Sequence, residues 1–308
     1  MRVALFGGTG FLGSYLVDAL LDQGHEPVLL VRPGSEARVR QRERCALVTG
    51  QIHDTGAIRH TLEGCQAAIY AIGILREDRP HGVTFEALHF QGLRRVAEGA
   101  VALGVGRLLY TSAHGVGPSG TGYQRSKYKA EEYLRGGELN WTILRPTVMF
   151  GDPRGRQEFC SLLVERIIKS PLPAPLFHTA PLPFNAGGFT LSPIHVRDVA
   201  TLYIRALEAP WATHQTYELC GPRPLTWREL LRLLARVRGT YKLMVPVWAP
   251  GARLGAALGE ALGVSPVSPD QLAMLLEGGD CESHEVFERF ELVPTRCDDS
   301  SLAYLRAL

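Results

Sequence analysis

The chain has 308 residues, 45% of them hydrophobic and 21% charged, a composition that supports a large globular core and excludes a disordered or fibrous protein. A formal net charge of +2 gives no ground for a nucleic-acid-binding or strongly acidic surface, which leaves a small molecule as the expected ligand. The six cysteines are widely separated and form no C-x-x-C pair, so neither a metal cage nor a disulfide scaffold is indicated, and a reducing cytoplasm is the expected setting.

Met1 leads directly into the apolar run Val3 to Phe6, without the charged and long apolar regions of a signal peptide. Short apolar runs then alternate with longer helical patterns: Val3 to Phe6, Leu12 to Leu21, Pro27 to Val31, Ala46 to Val48, Ala67 to Ile72, Phe85 to Leu103 and Leu108 to Thr111. That alternation predicts a parallel sheet with helices on both faces. The strands are almost wholly apolar, as strands covered on both sides must be. Gly24 stands where the first helix needs a C-cap, and Asp54 and Thr84 stand where later helices need N-caps.

Beyond Phe150 the texture changes. Pro171, Pro173, Pro175, Pro181 and Pro183, followed by Gly187-Gly188, predict a loop-rich cap without regular elements. Helical patterns return at Val196 to Glu208, Trp227 to Val237 and Pro269 to Leu276, the second opened by a Thr226/Glu229 capping box. The expected division is residues 1–150 as a nucleotide-binding domain and 151–308 as a substrate-binding cap, with elements of about 190–220 returning to the first. No apolar run reaches the roughly 20 residues of a membrane-spanning helix. The nearest, Leu243 to Leu262, is broken by Pro246, Pro250, Arg253 and Glu260. Its part from Ala252 on has an amphipathic pattern, for which burial is the first reading and a membrane surface the second.

The first strand runs into Gly7-Gly8-Thr9-Gly10-Phe11-Leu12-Gly13, three glycines spaced by three that open an amphipathic helix. In such a turn the early glycines let backbone approach a pyrophosphate at the helix N-terminus, and the last allows close helix-to-strand packing. Gly7, Thr9, Gly10, Phe11, Leu12 and Gly13 are therefore candidate cofactor contacts. The end of the second strand, Val31-Arg32-Pro33-Gly34-Ser35, has no acid to bind a ribose 2′-hydroxyl. Its arginine instead suits a 2′-phosphate, which favours NADP(H), with Arg32 and either Ser35 or Arg38 as contacts.

Tyr123 and Lys127 are four residues apart, on one face of a helix. A lysine close to a tyrosine favours phenolate, so the phenol can exchange a proton with a substrate oxygen while a nicotinamide exchanges hydride. Ser112 closes the strand Leu108 to Thr111, at the carboxyl edge where open sheets hold ligands.

Together, Gly7-x-x-Gly10-x-x-Gly13, Ser112, Tyr123-x-x-x-Lys127, Leu144-Arg145-Pro146 and Ile194-His195-Val196-x-Asp198 resemble the extended and atypical short-chain dehydrogenase/reductase superfamily. Ile72 to Glu77, Phe85 to Gly92, Trp141 to Phe150 and Tyr217 to Pro222 are similar to the branch of the NADPH-binding accessory subunit of mitochondrial complex I and its stand-alone bacterial homologues. The resemblance implies an α/β fold: a Rossmann-type doubly wound parallel sheet with a smaller C-terminal α/β cap. It implies Ser112, Tyr123 and Lys127 as the reactive set, and nicotinamide contacts at Ala71, Ile72, Gly73, Pro146 and Thr147. Gln51, beside Ile52, takes the place of an aspartate that meets adenine, and His195 and Asp198 are implied to be structural. No metal is implied. Only ten residues separate Ser112 from Tyr123, a loop shorter than in the sugar-nucleotide epimerases, which argues against that substrate class.

Two functions follow as expectations. The first is an NADP(H)-dependent oxidoreductase acting on a small, fairly apolar carbonyl or alcohol, as a cytoplasmic monomer or homodimer. The second is a non-catalytic NADPH-binding module of a respiratory or quinone-synthesising assembly, peripheral at the inner face of the membrane. A sugar-nucleotide epimerase or dehydratase is the third, weakened by an apolar, proline-rich cap.

Overall fold

The computed structural model describes residues 1–252, 254 and 269–308, and these form two compact units. The first comprises Met1–Pro146, Val196–Leu219 and Val286–Leu292, and the second Thr147–His195, Cys220–Glu285 and Val293–Leu308.

In chain order the elements are β1 (Arg2–Phe6), α1 (Phe11–Asp22), β2 (Glu26–Val31), β3 (Ala46–Thr49), α2 (Thr55–Leu62), β4 (Ala67–Tyr70), α3 (Gly92–Ala102), β5 (Arg107–Thr111), α4 (Gly122–Arg135) and β6 (Trp141–Pro146). They continue with β7 (Met149–Phe150), α5 (Phe159–Leu163), β8 (Ala174–His178), β9 (Thr190–Leu191), β10 (Ile194–His195), α6 (Val196–Glu208), β11 (Gln215–Leu219), β12 (Leu225–Thr226), α7 (Trp227–Val237), β13 (Met244–Trp248), α8 (Pro269–Glu277) and α9 (His284–Arg289).

The first unit holds a seven-stranded sheet of order β11-β6-β5-β4-β1-β2-β3, parallel throughout. The doubly wound Rossmann-type sheet is thus present. Its order reverses between β1 and β4, and in open α/β sheets such a switch point opens the crevice where ligands bind. Alternating strand residues explain the two covered faces. Ala4, Phe6, Ala68, Tyr70, Leu108, Tyr110 and Ile143 pack with α2, α3 and α4, while α1 and α6 pack against each other. Local chemistry sets the helix ends: Asp54 accepts the N–H groups of Gly56 and Ala57 to start α2, and Ala87 N–H donates to Thr84 Oγ1. Gly24 follows α1 with φ +71°, as its place after the helix demands.

The helix expected from Phe85 to Leu103 is not uniform. Residues Glu86–Gln91 form a π-helical turn that passes directly into α3. Tyr70 fills the space beneath it: its hydroxyl donates to the Leu88 carbonyl, and a Cβ on Gly92 would lie 2.3 Å from that hydroxyl. The π-helical turn thus coincides with a side chain that bonds into it.

The second unit has its own core around Trp227, which is fully buried, stacks on Phe189 and donates its indole N–H to Pro175 O at 2.8 Å. The capping box of Thr226 and Glu229 opens α7 as expected. Two expectations are corrected here. The proline-rich stretch is not wholly irregular, because β8 pairs in parallel with β13 despite Pro175 and Pro246. A two-stranded ribbon leaves one edge of each strand free, and a proline nitrogen facing that edge removes no ladder bond. A disulfide also joins Cys220 to Cys281, two cysteines 61 residues apart whose sequence spacing gave no sign of pairing.

No helix among the described residues is long and apolar enough to cross a membrane. The amphipathic pattern expected from Ala252 onward lies almost wholly outside the described residues.

Candidate functional site

The glycine turn is built of backbone. Gly7 has φ +104°, and a Cβ there would meet Ala71 C and O at 2.8 Å. A Cβ on Gly13 would lie 2.1 Å from Gly7 O, and no rearrangement of a flexible side chain could relieve that clash. Gly10 N–H donates to Gly7 O at 3.0 Å and closes the turn. Gly10 is also the N-cap of α1, which has no side-chain cap and no acidic residue in its first turn. Bare N–H groups at a 12-residue helix, reached over a cradle that any Cβ would fill, fit a diphosphate.

The other expected cofactor residues end or follow strands of the sheet, or open the second unit. Ala71 N–H donates to Phe6 O at 2.8 Å, which places the segment after β4 beside the glycine turn at the switch point. Arg32 follows β2 and is exposed. Its carbonyl accepts the Ser35 N–H at 2.9 Å across a turn with Gly34 at φ +79°. Gln51 is exposed after β3, and its carbonyl accepts the Asp54 N–H beside partly buried Ile52. Pro146 O accepts the His114 N–H in the first unit, and Thr147 Oγ1 donates to Ser192 O in the second.

Helix α4 carries the tyrosine and lysine. Thr121 caps it in a full capping box with Gln124, which fixes the first turn where Tyr123 sits. Lys127 is 2% exposed, its Nζ donates to Thr111 O at 2.7 Å, and it lies 5.6 Å from the centre of the Tyr123 ring. A Cβ on Gly73 would be 3.8 Å from the same Nζ, so the segment after β4 runs past the lysine. Burial pushes the Lys127 ammonium down to about 7, with the Glu131 carboxylate opposing. Burial raises the Tyr123 phenol. Phe85 and His89 enclose that ring, both edge-on, at 5.9 and 5.2 Å between ring centres.

Ser112 is 2% exposed, and its hydroxyl donates to Glu131 Oε1. A hydroxyl has one hydrogen, so donation to a substrate oxygen would require this bond to be exchanged. Glu131 itself is fully buried and accepts from Arg145 Nε at 2.8 Å, Arg145 Nη2 at 2.5 Å and Arg135 Nη2 at 2.7 Å. Arg145 reaches on to Glu218 at 2.8 Å, and Glu218 holds His114 Nδ1 at 2.9 Å. The arginine of Leu144-Arg145-Pro146 therefore serves a buried charge network at the carboxyl end of the sheet.

Glu131, Glu218, His114 and His89 were not anticipated from the sequence. One signal for Glu131 was available, since Tyr123, Lys127, Glu131 and Arg135 repeat every four residues and so share a face of α4. The others come from distant segments. No local pattern announces them.

Comparison with known proteins gives the family. The profile of a family described as NAD(P)H-binding matches residues 7–162. The chain belongs to that family. A protein named ceramide reductase from Caulobacter vibrioides is 28% identical over 84% of this chain and 77% of its own length. The mitochondrial NADH-ubiquinone oxidoreductase 40 kDa subunit of Neurospora crassa is 26% identical over 75% of this chain and 59% of its own. The Thermus thermophilus UDP-glucose 4-epimerase, solved with NAD, superposes with a TM-score of 0.74 over 100% of this chain and 98% of its own, at 19% identity. At that identity the likeness concerns the fold. The protein is thus NAD(P)-binding, with the fold of the epimerase and with complex I subunits among its relatives.

Proposed function

We propose that this protein is an NADP(H)-dependent oxidoreductase acting on a small, fairly apolar carbonyl or alcohol. The observation that carries the reading is the placing of Lys127 Nζ near both the Tyr123 ring and Gly73, in a segment whose first residue, Ala71, borders the glycine turn. Bound in the crevice, the nicotinamide would supply or accept a hydride.

The chain's own groups would handle the proton. In the reducing direction, Tyr123 Oη gives its proton to the substrate oxygen as the carbonyl carbon becomes tetrahedral, and the phenolate left behind is stabilised by the Lys127 ammonium. Lys127 would also hold the ribose, and Ser112 would steady the reacting oxygen on exchanging Glu131 for it. Gly7, Thr9, Gly10, Phe11, Leu12 and Gly13 would take the diphosphate, Gln51 and Ile52 the adenine, Arg32 with Ser35 the 2′-phosphate, and Ala71, Ile72, Gly73, Pro146 and Thr147 the nicotinamide side. Phe85 beside the tyrosine favours an apolar substrate, and so does the relative named as a reductase of ceramide.

Replacing Tyr123 with Phe should reduce NADPH-dependent turnover by at least about 100-fold, within the usual range for an acid–base group, and leave NADPH binding nearly unchanged. Turnover that survives the change would remove Tyr123 from the chemistry. The similarity to a complex I subunit favours one other reading, an NADPH-binding module in a respiratory or quinone-synthesising assembly peripheral to the membrane. That reading expects tight NADPH binding, no substrate-dependent oxidation, and co-sedimentation with membranes.

A further inference from the structure

His89 is completely buried, carries two polar ring atoms, and is used by none of the steps above. Its surroundings define its chemical state. Nε2 lies 3.1 Å from the Ile74 backbone N–H, which can only donate, so Nε2 carries no hydrogen. The ring hydrogen is therefore on Nδ1, 2.8 Å from Ser126 Oγ. The Ser126 hydroxyl in turn donates to Tyr123 O at 2.8 Å. Donor follows acceptor without conflict along the whole chain, from the Ile74 amide through the imidazole and the serine to the carbonyl of the tyrosine.

This chain joins two segments that the sequence keeps apart. One end is the stretch after β4, where Gly73 borders Lys127; the other is the first turn of α4. The ring also stands edge-on to Tyr123 at 5.2 Å and stacks on Phe85 at 5.3 Å. The π-helical turn Glu86–Gln91 contains His89, and such a turn changes the direction in which a helical side chain projects. A charged imidazole would be out of place here, since burial and the nearby Lys127 both push its pKa down, to about 2.

We propose that His89 is a positioning residue, locked as the neutral Nδ1–H tautomer, that holds the nicotinamide-side segment Ile72–Ile74 in register with Tyr123 and Lys127. The proposal rests on the cofactor reading above. The neutral ring accepts from the loop and donates to the helix at once; the imidazolium could do only the second.

Two measurements test it on the whole protein. Long-range ¹H–¹⁵N correlation spectra should show His89 as one neutral Nδ1–H form between pH 5 and 8, and titration inside that range, or the Nε2–H form, would overturn the assignment. The second measurement compares NADPH with 2′-phospho-ADP-ribose, which has no nicotinamide, on His89→Phe. Phenylalanine keeps an aromatic ring beside Tyr123 and removes both hydrogen bonds. NADPH affinity should fall about tenfold, the loss expected for buried hydrogen bonds, and the fluorescence change of bound nicotinamide should vanish. Affinity for 2′-phospho-ADP-ribose should change less than about twofold.

Equal losses for both ligands, or no loss for either, would overturn the positioning role and leave the cofactor reading standing. No binding of either ligand to the wild-type protein would overturn both. Should His89→Phe fail to fold, Ser126→Ala removes only the outer link and should weaken NADPH about threefold, again without weakening 2′-phospho-ADP-ribose. Unchanged NADPH binding in that variant counts against the chain.

Discussion

The glycine turn and the tyrosine–lysine end of the crevice are built in opposite ways. At the turn, function depends on what is missing: Gly7 and Gly13 stand where any Cβ would collide with backbone, and Gly10 caps α1 without a side chain. At the other end function depends on side chains brought from afar, with Lys127, Glu131, Arg145, Glu218, Ser112 and His89 drawn from several elements. Seven consecutive residues contain the first arrangement. The second exists only after the sheet has formed, so its failure modes differ: the turn should lose binding on a small change, and the charge network around Glu131 should lose stability before the protein loses the nucleotide.

The largest effect on that contrast is expected from Glu131→Ala, which strands Arg145 and Arg135 without the buried carboxylate they share. Breaking one partner of a buried ion network costs about 3–5 kcal/mol, so urea unfolding should show a loss of that size. A loss under about 1 kcal/mol would mean the network contributes no more than an exposed pair. Gly13→Ala comes next. The 2.1 Å approach to Gly7 O should force the turn open and weaken NADPH by at least about 100-fold, or about 3 kcal/mol, in a calorimetric titration. Near-normal affinity in a folded variant would show that the turn does not hold the diphosphate.

A further effect concerns charge. With Lys127 pushed down to about 7 by burial, the folded state holds its proton less tightly than the unfolded chain, where an ordinary lysine titrates near 10.5. The unfolded state then binds more protons between those values. The stability linked to this group is complete above about 10.5 and is lost as pH falls through 7. Lys127→Met should therefore compare more favourably with wild type in thermal melts at pH 6 than at pH 10. The same difference at both would place the lysine's titration outside that window.

How much of this the sequence disclosed follows from the same contrast. Apolar strands covered on both faces, the glycine spacing and the helix caps at Asp54, Thr84 and Thr226 are local signals, and the structure reproduces them. The ribbon of β8 and β13 was hidden because proline ordinarily excludes a strand, and only a free edge permits it. Cys220 and Cys281 pair across 61 residues, a distance over which spacing carries no information. The site shows the same limit. Lys127 beside Tyr123 is visible as a helical repeat, whereas the commitment of Ser112 to Glu131 depends on where β5 and α4 come to lie. His89 sits in a π-helical turn into which the Tyr70 hydroxyl bonds, and the residues next to it in sequence give no sign of that turn.

The most direct test of the account is a calorimetric titration of the wild-type protein and of Arg32→Ala with NADPH and with NADH. The account predicts that NADPH binds the wild-type protein more tightly. Arg32→Ala should cost NADPH about tenfold or more, the worth of a charge-assisted contact to the 2′-phosphate, and leave NADH nearly unchanged. Equal affinities that ignore the substitution would contradict the choice of NADP(H), and the absence of binding by either nucleotide would contradict the whole functional reading.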